Sequence, residues 1–200
     1  MLSVEFNFDE IEQTALSIGA AADQIPYAMM LAMNRAADVT RNFLIQATWP
    51  NHVQQRNNSF IAASLTTRDA RATKTSMAVE LYDKLDRGNL QMQAKGGQRS
   101  PQRGGASLAV PASNVPKGSR GVQASLRPKN LQPTASFRKG DVLYAKDKRS
   151  GRLRLLYVLK PATKIPKRVP FYEDFAASME RELHRTIPLA VARAMATRRR

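Results

Sequence analysis

The stretch LRLLYVLKPATKIPKRVPFYEDF, residues 153–175, is where the pattern of apolar residues changes from strand-like to helix-like. Its first part, Leu153–Lys160, is rich in aliphatic residues and follows a Ser-Gly pair, which is typical of the second strand of a β-hairpin. From Phe171 onward, apolar residues recur every four positions, which predicts an amphipathic helix. A hairpin followed by a separate helix favours an α+β fold.

The predicted C-terminal helix covers residues 169–197. Its apolar side consists of Phe171, Phe175, Met179, Leu183, Ile187 and Val191. Acids such as Glu180 and Glu182 lie early in this helix and arginines lie late, which matches the helix dipole, and we interpret the acids as a solvated face. Pro188 lies inside the pattern and is expected to kink or break the helix.

Further strand-like segments precede residue 153. DVLYAK, Asp141–Lys146, predicts the first strand of the hairpin and, with it, a small antiparallel sheet. In SMAVELYDK, residues 76–84, apolar and other side chains alternate as in a half-buried strand, and ASLTTRDARAT, residues 63–73, is its candidate hairpin partner. LQMQAK, residues 90–95, has an ambiguous pattern.

Residues 1–63 are predicted to be helical. The predicted helices are the amphipathic segment FDEIEQTALSIGAA (residues 8–21), a longer helix from near Asp23 to Trp49, and a third from Asn51 to Ala63. Asp23 can cap the long helix, and Pro26 is tolerated in its first turn. Pro50 is expected to end it, because the residue before a proline disfavours the helical conformation.

The length of 200 residues suits one domain with a sizeable core, and we predict a single domain, residues 1–200. Its predicted parts are a helical part (1–63), strands (64–95), an extended arm (96–140), a β-hairpin (141–160) and the C-terminal helix (169–197). The arm is basic, rich in glycine and proline, and contains one recognisable strand, ASLAVP, residues 106–111. The chain contains no cysteine, which excludes disulfides and thiolate metal sites.

Charge is the strongest feature of the composition. The formal net charge is +16, from 32 lysines and arginines against 16 acids. Residues 1–50 hold six acids and two bases, a net of −4, so the remainder carries +20. Such a field attracts polyanions without specifying one, and it equally suits acidic protein neighbours in an assembly.

Catalytic motifs do not emerge from the sequence. The glycines near residue 96 lack the G-K-[ST] of a phosphate-binding loop, and no G-x-G-x-x-G is present. His52 and His184 are interpreted as surface or packing residues. Asp83 and Asp86 come nearest to the paired carboxylates of a metal-dependent nuclease, without support from other residues. We therefore predict no enzyme, no cofactor and no metal site.

Nucleic-acid recognition is predicted only in a sequence-independent form. The arm has almost no aromatic residues, so a stacking platform for single strands is missing, and its bases can contact either DNA phosphates or an adjacent subunit. Paired glycines at 96–97 and 104–105 are expected to permit tight turns. The residues expected in these contacts are Lys95, Gly96, Gly97, Arg99, Arg103, Lys117, Arg120, Arg127 and Lys129.

Four short segments in a fixed order carry a resemblance to a known family. They are AMNRAADVTRNFL (Ala32–Leu44), GGQR (Gly96–Arg99), LAVP (Leu108–Pro111) and the segment with Tyr157, Pro161, Ile165, Pro166, Arg168 and Phe171. This order is similar to that of the minor tail protein Z, or tail-completion, family of long-tailed bacteriophages. In that family a Gly-Gly/Gln-Arg turn precedes a Val-Pro strand, and a basic strand leads through K-I-P-x-R-x-P/F into the closing helix.

The resemblance implies a structural protein of the virion without catalytic residues or cofactors. Such proteins look like subunits of a homo-oligomeric ring, with a hexamer favoured, at the head-proximal end of the tail. The implied partners are further copies, tail terminator or tail tube proteins, head–tail connector proteins and, nonspecifically, packaged DNA. The implied location is the neck region of the virion, after assembly in the host cytoplasm.

The alternative function is a free-standing, sequence-nonspecific nucleic-acid-binding protein. It predicts a monomer with tight and steeply salt-dependent binding to naked nucleic acid. A membrane protein is not expected, since no run approaches the roughly 18 apolar residues of a membrane span and residues 1–22 lack the pattern of a secretory signal.

Overall fold

The computed structural model describes residues 9, 13, 16, 22–68, 70–85, 90–101, 105–119, 121–146 and 151–197. The chain divides into two compact units, where the sequence analysis predicted a single domain. The helical unit consists of residues 1–94 and 167–200, and the sheet unit consists of residues 95–166. Long helices and small antiparallel sheets confirm the predicted α+β fold class.

The long helix of the helical unit continues past the proline that was predicted to end it. A 3₁₀ turn (Ala22–Gln24) leads into helix α1 (Ile25–Phe43), a π-helical turn (Leu44–Thr48) and helix α2 (Trp49–His52). The N–H of Trp49 donates to the carbonyl of Leu44, five residues earlier. Pro50 then falls in the first turn of α2, where its missing N–H costs least. The predicted end at Trp49-Pro50 is wrong, because the π turn changes the hydrogen-bonding pattern just before the proline.

Helix α5, Phe171–Ala196, confirms the predicted C-terminal helix. All residues of its predicted apolar side are buried. Pro188 lies inside α5 without ending it, so the predicted alternative of a break is wrong. The carbonyl of His184 loses its helical donor to Pro188, but both residues are exposed and water can satisfy this group.

Polar side chains line α5 at every fourth position beside the apolar stripe. They are Asp174, Ser178, Glu182 and Thr186. The Thr48 hydroxyl donates to Asp174 Oδ2 at 2.5 Å, and the hydroxyls of Thr40 and Ser178 lie 3.0 Å apart in the buried interface of α1 with α5. Buried hydrogen-bonding groups must find partners, so these contacts favour a single register between the two helices.

Glu182 belongs to this buried line and not to a solvated face. The residue is 6% exposed, and its carboxylate lies 3.7 Å from Arg181 Nε and 3.6 Å from Arg185 Nη1. The prediction of a solvated acid is wrong at this position because the four-residue spacing from Ser178 directs Glu182 toward α1. Two arginines at its exposed border supply the positive charge that a buried carboxylate requires.

Short elements complete the helical unit. They are helix α3 (Ser59–Ser64), strands β1 (Leu65–Thr66) and β2 (Tyr82–Asp83), and helix α4, which begins at Leu90 and ends at Lys95. The pairing of β1 with β2 confirms the candidate hairpin partner, although both strands are far shorter than predicted. The strands predicted over residues 64–95 are otherwise wrong, and α3 is shorter than the predicted third helix. The helix predicted over residues 8–21 lies outside the described residues except for Asp9, Gln13 and Leu16, which are helical.

Antiparallel strands dominate the sheet unit. They are β3 (Gly97–Arg99), β4 (Leu108–Pro111), β5 (Lys117–Gly118), β6 (Gly121–Val122), β7 (Ser136–Lys139), β8 (Val142–Lys146), β9 (Leu153–Lys160) and β10 (Thr163–Ile165). Four of them form a sheet in the order β4-β9-β8-β7, while β3 pairs with β10 and β5 with β6. The predicted hairpin is confirmed as β8 and β9.

The extended arm predicted over residues 96–140 is wrong. Its apolar strand β4 pairs along its whole length with β9, and β7 forms the opposite edge of the same sheet. The segment of chain that connects β4 to β7 packs apolar side chains, including Val115 and Leu126, onto one face of the sheet. Glycine and proline here serve short turns of a folded unit, so their density did not indicate an extended chain.

One face of the four-stranded sheet, here called the inner face, contains the core of the sheet unit. Leu156 and Tyr157 are both buried there, together with Val115. Neighbouring strand residues normally point to opposite faces, but a β-bulge between β8 and β9 leaves Leu156 without a partner opposite. The bulge therefore places two consecutive large side chains in one small core.

Candidate interaction surface of the sheet unit

Nearly all of the net charge belongs to the sheet unit. Residues 95–166 contain 16 lysines and arginines but only two acids, Asp141 and Asp147, so this unit carries +14 of the formal +16. The helical unit holds the other 16 bases with 14 acids and is close to neutral. The attraction for negatively charged partners is therefore a property of the sheet unit.

The basic residues predicted to make contacts lie on several elements. Lys95, Arg99, Lys117 and Lys129 are exposed on separate elements, and Arg103 and Arg120 lie outside the described residues. Arg127 has a structural role, because its Nε donates to the carbonyl of Val122 at 3.1 Å. The sequence does not distinguish this half-buried guanidinium from the exposed bases.

The predicted tight turn at Gly96 and Gly97 is confirmed. Their φ angles are 73° and 149°, which side chains with a Cβ rarely adopt. This turn ends α4 and starts β3. Of the second predicted pair, Gly104 lies outside the described residues, and Gly105 does not have a positive φ.

Three of the four segments that carry the family resemblance pair with one another, and the fourth, Ala32–Leu44, is helical. Gly97–Arg99 pairs antiparallel with Thr163–Ile165, so that Gly97 lies opposite Ile165. Leu108–Pro111 pairs antiparallel with Tyr157–Lys160. Two separate ladders thus join segments that are more than forty residues apart in the chain.

The family-like residues of the last segment occupy different environments. Tyr157 is buried in the sheet unit and Phe171 in the helical unit. Ile165 is half-buried, while Pro161, Pro166 and Arg168 are exposed. They extend from β9 through β10 to the first residue of α5 and so belong to both units.

Tyr157 holds the segment between β6 and β7 against the inner face of the sheet. Its hydroxyl donates to the carbonyl of Leu126 at 2.8 Å, and the residue is 2% exposed. Burial raises the pKa of Tyr157 above its ordinary value of 10.0, and the nearby Arg127 guanidinium offsets part of that rise. The neutral phenol is therefore the form that the folded unit retains.

Tyr157→Phe is expected to lower the free energy of unfolding by about 1 kcal/mol at neutral pH, through loss of this hydrogen bond. Above pH 10 the unfolded chain loses the phenolic proton more readily than the folded chain, so wild-type stability falls as pH rises toward the folded pKa. The variant lacks this contribution, and the difference between the two proteins should shrink. Urea unfolding of both proteins at pH 7 to 11 measures this difference in stability. A difference that stays constant over that range would contradict the assignment of a buried, neutral Tyr157 phenol.

The second face of the four-stranded sheet, here called the outer face, is apolar with lysines at its margin. Strand register places on it Leu108, Val110, Phe137, Val142, Tyr144, Leu153, Leu155 and Val158, together with Lys139, Lys146 and Lys160. Each of these lysines is the last residue of its strand and is exposed. None of the outer-face side chains is buried, and Phe137 and Leu153 are 41% and 58% exposed.

An aromatic pair lies in the outer face. The rings of Phe137 and Tyr144, on neighbouring strands, stack with centroids 5.5 Å apart. Tyr144 lies outside residues 96–140, so the low aromatic content of that segment gave no indication of a pair formed across two strands. A signal was present in β8 and β9, since both strands are apolar at consecutive positions, which is typical of strands covered on both faces.

Metal-binding clusters and membrane-spanning helices are absent from the described residues. Within those ranges, no group of three or more histidine and acidic side chains is placed to hold a metal ion, and Asp86 lies outside them. Asp83 Oδ1 accepts from the N–H of Leu85 and so closes a local turn. His52 Nδ1 lies 2.8 Å from the carbonyl of Thr48 at the end of α2, and His184 is exposed. None of the helices described is long and apolar enough to cross a membrane.

Comparisons of the chain with protein-family models, with curated proteins and with solved structures found no significant match. The charge of the sheet unit and its outer face are therefore the features on which a functional interpretation depends. Both suit binding to a large partner more than chemistry on a small one.

Proposed function

We propose that this protein is a structural component of long-tailed bacteriophage particles that completes the tail and enables head–tail joining. It forms a homo-oligomeric ring, with a hexamer favoured, around the DNA channel at the head-proximal end of the tail. Tail terminator or tail tube proteins contact one side of this ring and head–tail connector proteins the other. The protein is located in the neck of the virion and reaches it from the host cytoplasm during assembly.

The observation that carries this proposal is the pairing of the family-like segments. Gly97–Arg99 pairs with Thr163–Ile165, and Leu108–Pro111 pairs with Tyr157–Lys160. Short motifs can match a family by chance, and chance matches would have no reason to lie next to one another in the fold. Their pairing within one unit supports the interpretation that they are a shared structural module.

The distribution of charge also supports a place next to DNA. A net charge of +14 in a unit of residues 95–166 attracts phosphates without reading their sequence. A channel that must pass any DNA sequence needs this kind of contact. In a ring, one such unit per copy lowers the repulsion between successive phosphates and the channel wall.

Particles assembled without this protein are expected to separate into DNA-filled heads and unjoined tails. Negative-stain microscopy of particles made with and without the protein measures the joined fraction. Supplying the purified protein to the separated parts should restore joining. Normal joined particles in its absence would falsify the tail-completion role.

A second candidate is a free-standing nucleic-acid-binding protein, which the stacked Phe137 and Tyr144 beside basic residues favour. It predicts tight binding of the purified protein to naked single strands, with an affinity that falls steeply with salt. The tail-completion role predicts weak binding that is insensitive to substitution of these two rings. Fluorescence titration of labelled oligonucleotides at several salt concentrations separates the two functions.

A further inference from the structure

None of the apolar side chains of the outer face is buried: six are half-buried, and Phe137 and Leu153 are exposed. Strand β9 is apolar on both sides: Leu156 and Tyr157 fill the inner face, while Leu155 and Val158 lie on the outer face. A group of apolar side chains that stays in partial contact with solvent is typical of an interaction site. Phe137 and Leu153 are two of only four large hydrophobic side chains exposed in the described part of the chain.

The chemistry of the outer face indicates what covers it. Six of its apolar residues are aliphatic, and their burial is favourable only against another apolar surface, which phosphates and ribose do not provide. Lysines at the strand ends surround this apolar area and require acidic groups at the border of the partner. An acidic segment with apolar side chains meets both requirements, whereas a nucleic-acid strand meets only the second.

The same chain contains such a segment. Residues 4–18, here called the acidic segment, hold four acids and no lysine or arginine, and they include Phe6, Phe8 and Ile11. Three described residues of this segment, Asp9, Gln13 and Leu16, are helical and exposed, with the spacing of one helix face. Leu16 is 48% exposed and is a third of the four exposed large hydrophobic side chains.

We propose that the outer face of one copy binds the acidic segment, residues 4–18, of a second copy. Apolar side chains of the segment cover the aliphatic and aromatic residues of the face, and its carboxylates lie next to Lys139, Lys146 and Lys160. The contact joins two different surfaces, so each copy both donates a segment and accepts one, which builds closed rings when the rotation closes. The inference thus rests on the proposed ring and names the contact that forms it.

Local charge complementarity is required here because the copies repel one another overall. Each carries a formal net charge of +16, and association without an acid-to-base contact would bring two positive proteins together. Screening by salt should therefore act in two directions, weakening the specific contact and the general repulsion. Exchanging charges between the two surfaces therefore separates the specific contact from the general repulsion better than a change of salt concentration does.

The test uses two variants of the full chain. The segment variant carries Glu5→Lys, Glu10→Lys and Glu12→Lys, and the face variant carries Lys139→Glu, Lys146→Glu and Lys160→Glu. Alone, each variant opposes like charges, and its apparent dissociation constant for self-association should rise at least about tenfold. Mixed in equal amounts, each variant has the complement of the other, and association should return. Sedimentation velocity measures all four samples, with wild type as the fourth.

A matched control separates position from net charge. Arg56→Glu, Lys84→Glu and Lys164→Glu change the net charge by the same amount as the face variant, at exposed positions that are not on the outer face. This control should associate as wild type does. Trp49 fluorescence and circular dichroism check that every variant is folded, and a single exchange, Glu12→Lys with Lys146→Glu, replaces any triple variant that is not.

Several results overturn the proposal. They are a wild-type chain that stays monomeric at its highest soluble concentration, a single variant that associates normally, a mixture that stays apart, and a face variant that loses only oligonucleotide binding. The last result assigns the face to nucleic acid. Because these samples contain no other virion protein, failure here is distinct from failure of the tail-completion role, which only the particle experiment measures.

Discussion

Replacing Phe171 with alanine is expected to lower the free energy of unfolding of the helical unit by about 3–5 kcal/mol. Phe171 is the first residue of α5 and is 1% exposed. Its ring stacks on that of Trp49 with centroids 5.9 Å apart, and Trp49 also contacts Phe60 at 6.3 Å. Truncation leaves a cavity where the start of α5 meets α2, and it removes an aromatic contact in addition to buried area.

Fluorescence of the single tryptophan reports this change directly, because Trp49 is the contacting ring. Urea unfolding followed by this signal gives the free energy difference. Leu189→Ala is the matched control on the same helix, since Leu189 is 62% exposed and its loss should change stability by less than about 0.5 kcal/mol. Equal effects of the two substitutions would show that Phe171 is not part of the core.

Leu156→Ala is expected to destabilise the sheet unit by about 2–5 kcal/mol. Leu156 is fully buried at the β-bulge, and among the described residues of the sheet unit Val115 and Tyr157 are buried with it in this core. A small core has few other side chains that can move into the cavity. We expect the variant to retain the helical unit and to lose protection of the β8 and β9 amides.

Hydrogen exchange resolved by segment measures this loss, because it reports the two units separately. Leu153→Ala provides the comparison within β9, as Leu153 is 58% exposed on the outer face. Its amide protection should remain as in wild type. If the β8 and β9 amides of the Leu156→Ala variant were as protected as those of wild type, the inner face would not be the core of this unit.

Periodicity along the chain was sufficient to predict the elements that are long and regular. The four-residue steps from Phe171 to Val191 predicted α5, and the apolar strands on either side of residues 147–150 predicted the hairpin of β8 and β9. These patterns are local consequences of helix and strand geometry, so they are visible without knowledge of any partner.

Tertiary contacts decided the elements that the sequence predicted wrongly. Pro50 and Pro188 are strong local signals for the end of a helix. A π turn precedes Pro50, however, and buried side chains lie before and after Pro188 within α5. Glu182 appeared solvated by residue type, but its position in the four-residue series places it in the interface with α1. Local propensity is a weak prior wherever packing opposes it.

The candidate surface was the least predictable feature. Its charge could be counted from the sequence, but the outer face depends on the pairing of β4 with β9 and of β7 with β8. Phe137 and Tyr144 become neighbours only through the second of these pairings. Long-range register is not encoded in any one segment, so an extended arm and a folded edge strand have the same local composition.

The division of the chain into two units also sets the order in which their parts are synthesised. Residues 95–166 interrupt the helical unit, so a ribosome completes the sheet unit before it makes α5. At roughly 5–20 residues per second, synthesis of residues 167–200 takes about 2–7 s more. During that interval the nascent sheet unit has time to fold, whereas the alanine-rich side of α1 remains without its partner helix. Helices α1 and α5 can therefore pair only after the whole sheet unit has been synthesised.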